Sequence, residues 1–355
     1  MPSTPLSIAL IGAGGISRAH TKAFPLFPDR IKLIAVADNF VASAQALAAE
    51  YGPDVAAFAD HRELLAKARP DAVVITLPHF LHHPIAKDFL AAGIPVLVEK
   101  PITNTGAELH DLHALATTQK LVLMAGQMRR FSPAVRHVKK WLDASPENFG
   151  QLRSFDVVVQ VNVDAYTGGK TGHWILDGPK AGGGVITSFG IHRVDLVRLF
   201  GGADFAEVTA IGRFDAPFLN GAESQASVLF RMTNGANGTL HANGRAPRTG
   251  YMDSFTLHGT HGSIMEVAGP LRYATTTGAV TNQWGHQHEG WVDAPDSSDP
   301  RDDAFVQQLL AFADAVQSGR PPVANTVPEN FNTIACMDAI AESLRTGKTV
   351  PVAKL

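Results

Sequence analysis

In the first 125 residues, short apolar runs alternate with Ala- and Leu-rich segments of helical period. No other feature restricts the fold as much. The candidate strands are Ser7–Ile11, Lys32–Ala37, Ala56–Phe58, Ala72–Leu77, Val96–Val98 and Val122–Met124. Segments such as Val41–Tyr51, Pro84–Ala92 and Ala107–Thr118 lie between them. Parallel strands need crossovers, and helices are the usual ones, so the pattern predicts a doubly wound α/β sheet with helices on both faces.

The turn after the first strand reads Gly12-Ala13-Gly14-Gly15-Ile16-Ser17. Gly12 suits a tight turn, and Gly14 lets backbone approach a pyrophosphate at the start of a helix. Ser17 takes the third fingerprint position, where a small residue still permits close packing. The second strand ends in Asp38, 24 residues after Gly14. A carboxylate there accepts hydrogen bonds from an adenosine ribose and repels a 2′-phosphate, and no arginine follows at 39 or 40. The expectation is NAD in preference to NADP.

His79, His82 and His83 follow the fourth strand, after Leu77-Pro78. A structural zinc site wants four ligands, and no cysteine or carboxylate lies nearby in sequence, so no metal is expected. His82 is instead expected to start a helix beside the cofactor. The run Ile94-Pro95-Val96-Leu97-Val98-Glu99-Lys100-Pro101 reads as a buried strand stopped by proline. Lys100 then sits at a strand's carboxyl end, where open α/β sheets keep their ligands.

From Gln151 the pattern changes to longer alternating strands separated by turns such as Thr233-Asn234-Gly235, which predicts a mainly antiparallel sheet in an α+β domain. The expected domains are residues 1–126 and 127–355. A helix over 184–200 places Ser188, His192 and Asp195 on one face, beginning at Gly182-Gly183-Gly184, as where a helix start approaches a ligand. Tyr166 and Trp174 flank the loop Thr167-Gly168-Gly169-Lys170; they either close over a sugar ring or anchor the loop. His286 and His288, near Trp284 and Trp291, read as a surface excursion. Amphipathic helices are expected over Asp302–Ser318 and Phe331–Arg345.

Charged residues are 18% and the net charge is −3 with no block of like charges, which argues against a nucleic-acid or anionic-membrane partner. The single cysteine, Cys336, precludes an intrachain disulfide and fits a reducing compartment. No run of 18 apolar residues occurs, and the apolar run Ile8–Ile11 is too short for a signal peptide, so the expected location is cytoplasmic.

Taken together, these motifs resemble the Gfo/Idh/MocA family of NAD(P)-dependent oxidoreductases. The likeness rests on Gly12-Ala13-Gly14-Gly15-Ile16 with His20, Asp38, Pro78 with His82, Glu99-Lys100-Pro101, and Gln127-Met128-Arg129-Arg130-Phe131. It continues through Trp174, Gly182-Gly183-Gly184, Gly190, His192, Asp195, Glu342-Ser343 and Gly347-Lys348. The resemblance implies a Rossmann domain followed by an α/β domain whose large open sheet covers the active site and builds homodimers or homotetramers. It implies a cofactor set of Gly12, Gly14, Gly15, Ile16, Asp38, Leu77, Pro78, His82, Glu99, Lys100, Gln127 and Trp174. Lys100, Tyr166, Trp174, Ser188 and His192 form the expected substrate set.

The expected reaction oxidises a secondary alcohol of a sugar or cyclitol. His192 acts as general base, since the unperturbed pKa of an imidazole suits neutral pH, and Lys100 steadies the developing oxyanion. Inositol dehydrogenases of the family carry an aspartate where this chain has Ser188, and Asp195, one turn on, is the available substitute. Two rival expectations are a glycoside hydrolase that recycles its NAD and a non-catalytic NAD-binding regulator.

Overall fold

The computed structural model describes residues 4–247, 252–275, 280–281, 287–288 and 290–354. The chain divides into two compact units. The first holds residues 1–132 and 297–330, and the second 133–296 and 331–355.

In the first unit, strands β1 (Leu6–Ile11), β2 (Ile31–Ala37), β3 (Ala56–Phe58), β4 (Ala72–Ile75), β5 (Val96–Glu99) and β6 (Leu123–Gly126) form one sheet in the order β3-β2-β1-β4-β5-β6. Every pairing is parallel. The order reverses between β1 and β4, and the crevice at such a reversal is where doubly wound sheets hold nucleotides. The strands are continuous apolar runs because helices cover both faces: Ile8, Leu10, Val74 and Leu97 are almost wholly buried. The parallel sheet is the one expected, with no strand end moved by more than two residues.

The unit boundary differs from a division at residue 126. Residues 127–132 stay with the first unit, and 297–330 return to it. The return follows from the helix Ala304–Ser318, whose Val306, Leu309, Leu310, Phe312 and Ala313 join the core formed by Leu6, Ile8, Leu10 and Val36. At roughly 1.5–3 kcal/mol per fully buried large apolar side chain, that face is a strong tether.

The second unit is built on β7 (Leu152–Gln160), β8 (Phe205–Arg213), β9 (Gln225–Met232), β10 (Asn237–Asn243), β11 (Met252–Gly259), β12 (Gly262–Glu266) and β13 (Arg272–Thr275). The short strands β14 (Val280–Thr281) and β15 (Gln287–His288) pair separately, whereas β16 (Val292–Asp293) and β17 (Val350–Pro351) edge the large sheet. Its order is β16-β13-β12-β11-β7-β10-β9-β8-β17, antiparallel except where β10 lies parallel to β7. Burial alternates along β9, so one face packs inward and the other, with Leu229, faces solvent. On the packed side, Gly347 ends the helix Val327–Thr346 in a left-handed turn, and Ser343 Oγ accepts the Ala210 N–H at 2.8 Å. Cys336 is buried in this helix. Trp284 and His286 lie outside the described residues, as does the side chain of His288.

Among the described residues, no helix is long and apolar enough to cross a membrane.

Candidate active site

The first unit gathers its chemistry at the carboxyl ends of β1, β2, β4, β5 and β6. Gly12 has φ +104°, and a Cβ there would lie 2.5 Å from the Thr76 carbonyl oxygen, so only glycine lets the turn pass β4. Thr76 Oγ1 donates to Gly12 O at 2.9 Å. Beyond it the loop opens: a Cβ at Gly14 or Gly15 would meet no atom within 4 Å, and Ile16 is exposed. Ser17 is buried, and its hydroxyl donates back to Gly14 O, which closes the loop onto its helix. Asp38 holds the same loop from β2, with Oδ2 accepting the Ala13 N–H at 2.7 Å and Oδ1 accepting the Phe40 N–H at 2.8 Å. Each carboxylate oxygen keeps a second lone pair for a ribose hydroxyl. This open glycine cradle, backed by an acid, fits a dinucleotide without a 2′-phosphate.

At β5, Glu99 is 5% exposed. Its Oε1 accepts from His20 Nε2 at 2.8 Å and its Oε2 accepts the Lys100 N–H at 2.9 Å. Burial alone would push this carboxyl up, but the His20 hydrogen bond, its charge and that of Lys100 bring it below the ordinary 4.5. Glu99 is therefore ionised, with one bond to each oxygen made inside the protein. Burial also pushes the Lys100 ammonium below its ordinary value; Glu99 resists that fall and Arg129 adds to it. Gln127 follows β6, buried, and its carbonyl accepts from Asn325 Nδ2 at 3.1 Å.

The sequence puts His82 beside the cofactor. The structure buries it completely, with Nδ1 2.7 Å from Pro101 O and Nε2 2.8 Å from Leu77 O. Both ring nitrogens are thus engaged by backbone, and His82 has none to offer a ligand directly. A neutral imidazole donates to one of these carbonyls and the imidazolium to both. Burial pushes its pKa down, while the carbonyls and Glu99 push it up, and the net shift is downward. His83 instead bonds Asp111 at 2.7 Å, and among the described residues no cluster of three His, Cys, Asp or Glu side chains is arranged to hold a metal.

The second unit carries the other candidates. Ser188 lies in a π-helical turn, Ile186–Gly190, that leads into the α-helix Ile191–Gly201 bearing His192 and Asp195. Such turns widen the helix by one residue and recur at functional sites. Ser188 and Asp195 are buried and His192 is partly buried. Asp195 Oδ1 accepts from Thr333 Oγ1 at 3.5 Å. Tyr166 is 59% exposed and sets its ring edge-on to Phe189, with centroids 5.0 Å apart. Trp174 lies in a 3-10 turn, with its ring 5.7 Å from that of His173.

The glycines ahead of this helix differ from the expectation of a ligand approach. A Cβ at Gly184 would lie 2.0 Å from Glu223 O and 2.5 Å from Glu223 N. Glu223 is 3% exposed, and its carboxylate accepts the Gly184 N–H at 2.7 Å and the Ile186 N–H at 2.8 Å. Gly184 therefore admits protein backbone, and a Cβ at Gly183 would lie 2.4 Å from Thr187 Oγ1. Burial pushes Glu223 above its ordinary value, and the backbone donors only partly offset it.

Sequence reasoning missed Glu223, and it missed Arg193. Arg193 is fully buried between Asp253 and Glu266, with Glu266 oxygens 2.8 Å from Nη1 and Nη2 and the guanidinium carbon 4.8 Å from the Phe255 centroid. It pins the His192 helix to β11 and β12.

Known proteins match this arrangement along almost its whole length. The family model for the oxidoreductase family with an NAD-binding Rossmann fold matches residues 6–127, and that of the GFO/IDH/MocA C-terminal domain matches residues 135–265. Inositol 2-dehydrogenase of Rhizobium meliloti (strain 1021) is 26% identical over 97% of this chain and 98% of its own. The scyllo-inositol 2-dehydrogenase (NAD(+)) of Bacillus subtilis (strain 168) is 26% identical over 96% of this chain and 95% of its own. Among solved structures, GenD2 from gentamicin A biosynthesis in complex with NAD shares 27% identity at a TM-score of 0.80, covering 99% of this chain and 98% of that one. Levoglucosan dehydrogenase in complex with NADH has a TM-score of 0.84 at 22% identity, covers 99% of this chain and 100% of that one, and bears on the fold alone.

Proposed function

We propose a function from one premise: this chain belongs to the Gfo/Idh/MocA family of oxidoreductases. It oxidises a secondary alcohol of a sugar or cyclitol, and bound NAD supplies the acceptor for the hydride. The observation that carries this reading is the company Lys100 keeps. It follows β5 at the same sheet edge as the open Gly14–Gly15 cradle and Asp38, and a buried Glu99–His20 pair holds its backbone.

The backbone N–H groups of Gly14, Gly15 and Ile16 take the pyrophosphate, and Asp38 takes the adenosine ribose. Leu77, Pro78 and Gln127 line the adjoining strand ends, and Trp174 adds an aromatic face. Glu99 serves from behind, as the counter-charge to Lys100. The substrate hydroxyl gives its proton to His192, and Lys100 donates a hydrogen bond to the oxygen as charge develops on it. A serine cannot charge or orient an imidazole as an aspartate does, so Asp195, one turn from His192, supplies the negative charge. Ser188, Tyr166 and Trp174 contact the polyol. The same family reading carries a homodimer or homotetramer, and the exposed Ile211 and Leu229 of the open sheet face support it.

A panel of inositols and sugars, followed by NADH absorbance, tests the reading. Lys100→Met and His192→Ala are each expected to lower turnover about 10²–10⁴-fold, with NAD affinity held within a few-fold. Equal loss of NAD affinity in both variants, or unchanged turnover in both, would remove them from the chemical step.

A further inference from the structure

We infer that His82 is a positioning residue for Lys100, acting through the backbone on the far side of that lysine. This rests on the dehydrogenase reading for its consequence in turnover, and on geometry alone for its consequence at Lys100.

The segment Glu99-Lys100-Pro101 is gripped from two sides. On the amino side, the Lys100 N–H donates to Glu99 Oε2 at 2.9 Å, and Glu99 Oε1 is held by His20 Nε2 at 2.8 Å. His20 is 1% exposed and in turn packs edge-on to Phe305, with ring centroids 5.1 Å apart. On the carboxyl side, the Pro101 carbonyl meets His82 Nδ1 at 2.7 Å, while the other ring nitrogen reaches Leu77 O at 2.8 Å. His82 is the first residue of the helix His82–Ala91, whose Ile85, Ala86, Phe89 and Leu90 are buried. The ring therefore stands between a rigid helix and two carbonyls, one after β4 and one just past Lys100, and the single N–H of the neutral ring is assigned to Nδ1, which makes the shorter contact, to Pro101 O. Proline offers no N–H of its own, so the Pro101 carbonyl is its only backbone handle for a hydrogen bond.

A long flexible ammonium side chain gains a fixed reach only if the backbone beneath it is fixed. The charges that act on the ammonium are those of Glu99 and Arg129, and burial favours the neutral form of the His82 ring. Loss of the His82 bond frees the Pro101 side of the segment and leaves the Glu99–His20 side intact, so the effect falls on the placement of Lys100.

Two variants separate this role from simple packing. His82→Phe keeps a ring and removes both nitrogens, and His82→Asn keeps a side-chain N–H near the Nδ1 position. The first readout needs neither substrate nor turnover: competitive acetic anhydride labelling of Lys100 in the full chain, quantified by mass spectrometry against pH. His82→Phe is expected to change the Lys100 labelling rate at least threefold, and His82→Asn to restore it. The second readout is kinetic: a displacement on the order of an ångström costs up to about 10²-fold, so kcat should fall 10- to 100-fold in His82→Phe with KM for NAD unchanged. His82→Asn should recover most of kcat.

The assignment is overturned if folded His82→Phe labels and turns over within twofold of the parent, or if His82→Asn does no better than His82→Phe. If His82→Phe does not fold, His82→Asn against the parent decides: parental labelling upholds the donor, and a threefold change overturns it. Should no polyol give NADH with the parent chain while the labelling contrast persists, the dehydrogenase reading fails and the positioning role stands.

Discussion

Two glycine runs look alike on paper and are used in opposite ways. Gly12–Gly15 begins with a residue squeezed against Thr76 and then opens, so that Gly14 and Gly15 have nothing of the chain where a Cβ would be. Gly182–Gly184 ends with a residue whose missing Cβ is replaced by the backbone of Glu223. In the first run the missing side chains make room for a ligand, and in the second they make room for the protein. A glycine cluster before a helix is therefore evidence for close approach and says nothing about what approaches.

Two substitutions test that contrast. Gly184→Ala forces a methyl group into 2.0 Å contact with Glu223 O, a backbone atom held in place by its neighbours. Overpacking of this kind is expected to destabilise the chain by about 3 kcal/mol or more, read as a drop in urea midpoint or as loss of folded protein. Gly14→Ala meets nothing within 4 Å, so its melting temperature should match the parent. Its NAD affinity should fall by at least about tenfold, ~1.4 kcal/mol, because the methyl stands where a pyrophosphate would. If Gly14→Ala melts early, or binds NAD like the parent, the two runs are not different in kind.

Much of the first unit was legible because parallel strands buried on both faces write themselves as continuous apolar runs, and because the ends of those runs carry Gly12, Asp38 and Lys100. The return of residues 297–330 was not legible. The helix Ala304–Ser318 shows an apolar face, but periodicity does not say which sheet receives it. The π turn at Ile186–Gly190 was hidden for a related reason: one extra residue in a turn scarcely alters an apolar pattern. Arg193 read as part of an ordinary helix surface, since its partners Asp253 and Glu266 stand 60 and 73 residues away. Glu223 sits in an unremarkable turn, and its task lies 37 and 39 residues upstream. The parallel pairing of β10 with β7 interrupts a meander that the turn signals alone suggested. Local chemistry could be read in the sequence, but contacts between distant segments could not.

The smaller and finer test compares the two buried carboxylates, one in each unit. Glu99 has His20 and the Lys100 charge beside it and is pulled below 4.5; among the described residues Glu223 has backbone N–H donors alone and is pushed above it. The stability each contributes therefore depends on pH with opposite sign. The folded chain holds the Glu99 proton less tightly than the unfolded chain does. Its contribution is full above the unfolded value near 4.5 and is lost as pH falls through the lower folded value. For Glu223 the folded chain holds the proton more tightly, so the penalty for its charge is relieved as pH falls from neutral through the raised folded value toward 4.5. Urea midpoints from pH 7 to pH 4 for the parent, Glu99→Gln and Glu223→Gln resolve the two. The gap between parent and Glu99→Gln should hold steady down to about pH 4.5 and then begin to narrow. The stability of the parent relative to Glu223→Gln should rise across the same descent, because only the parent gains a proton there. Gaps that move in the same direction would mean that a neighbouring cation is not what separates the two carboxylates.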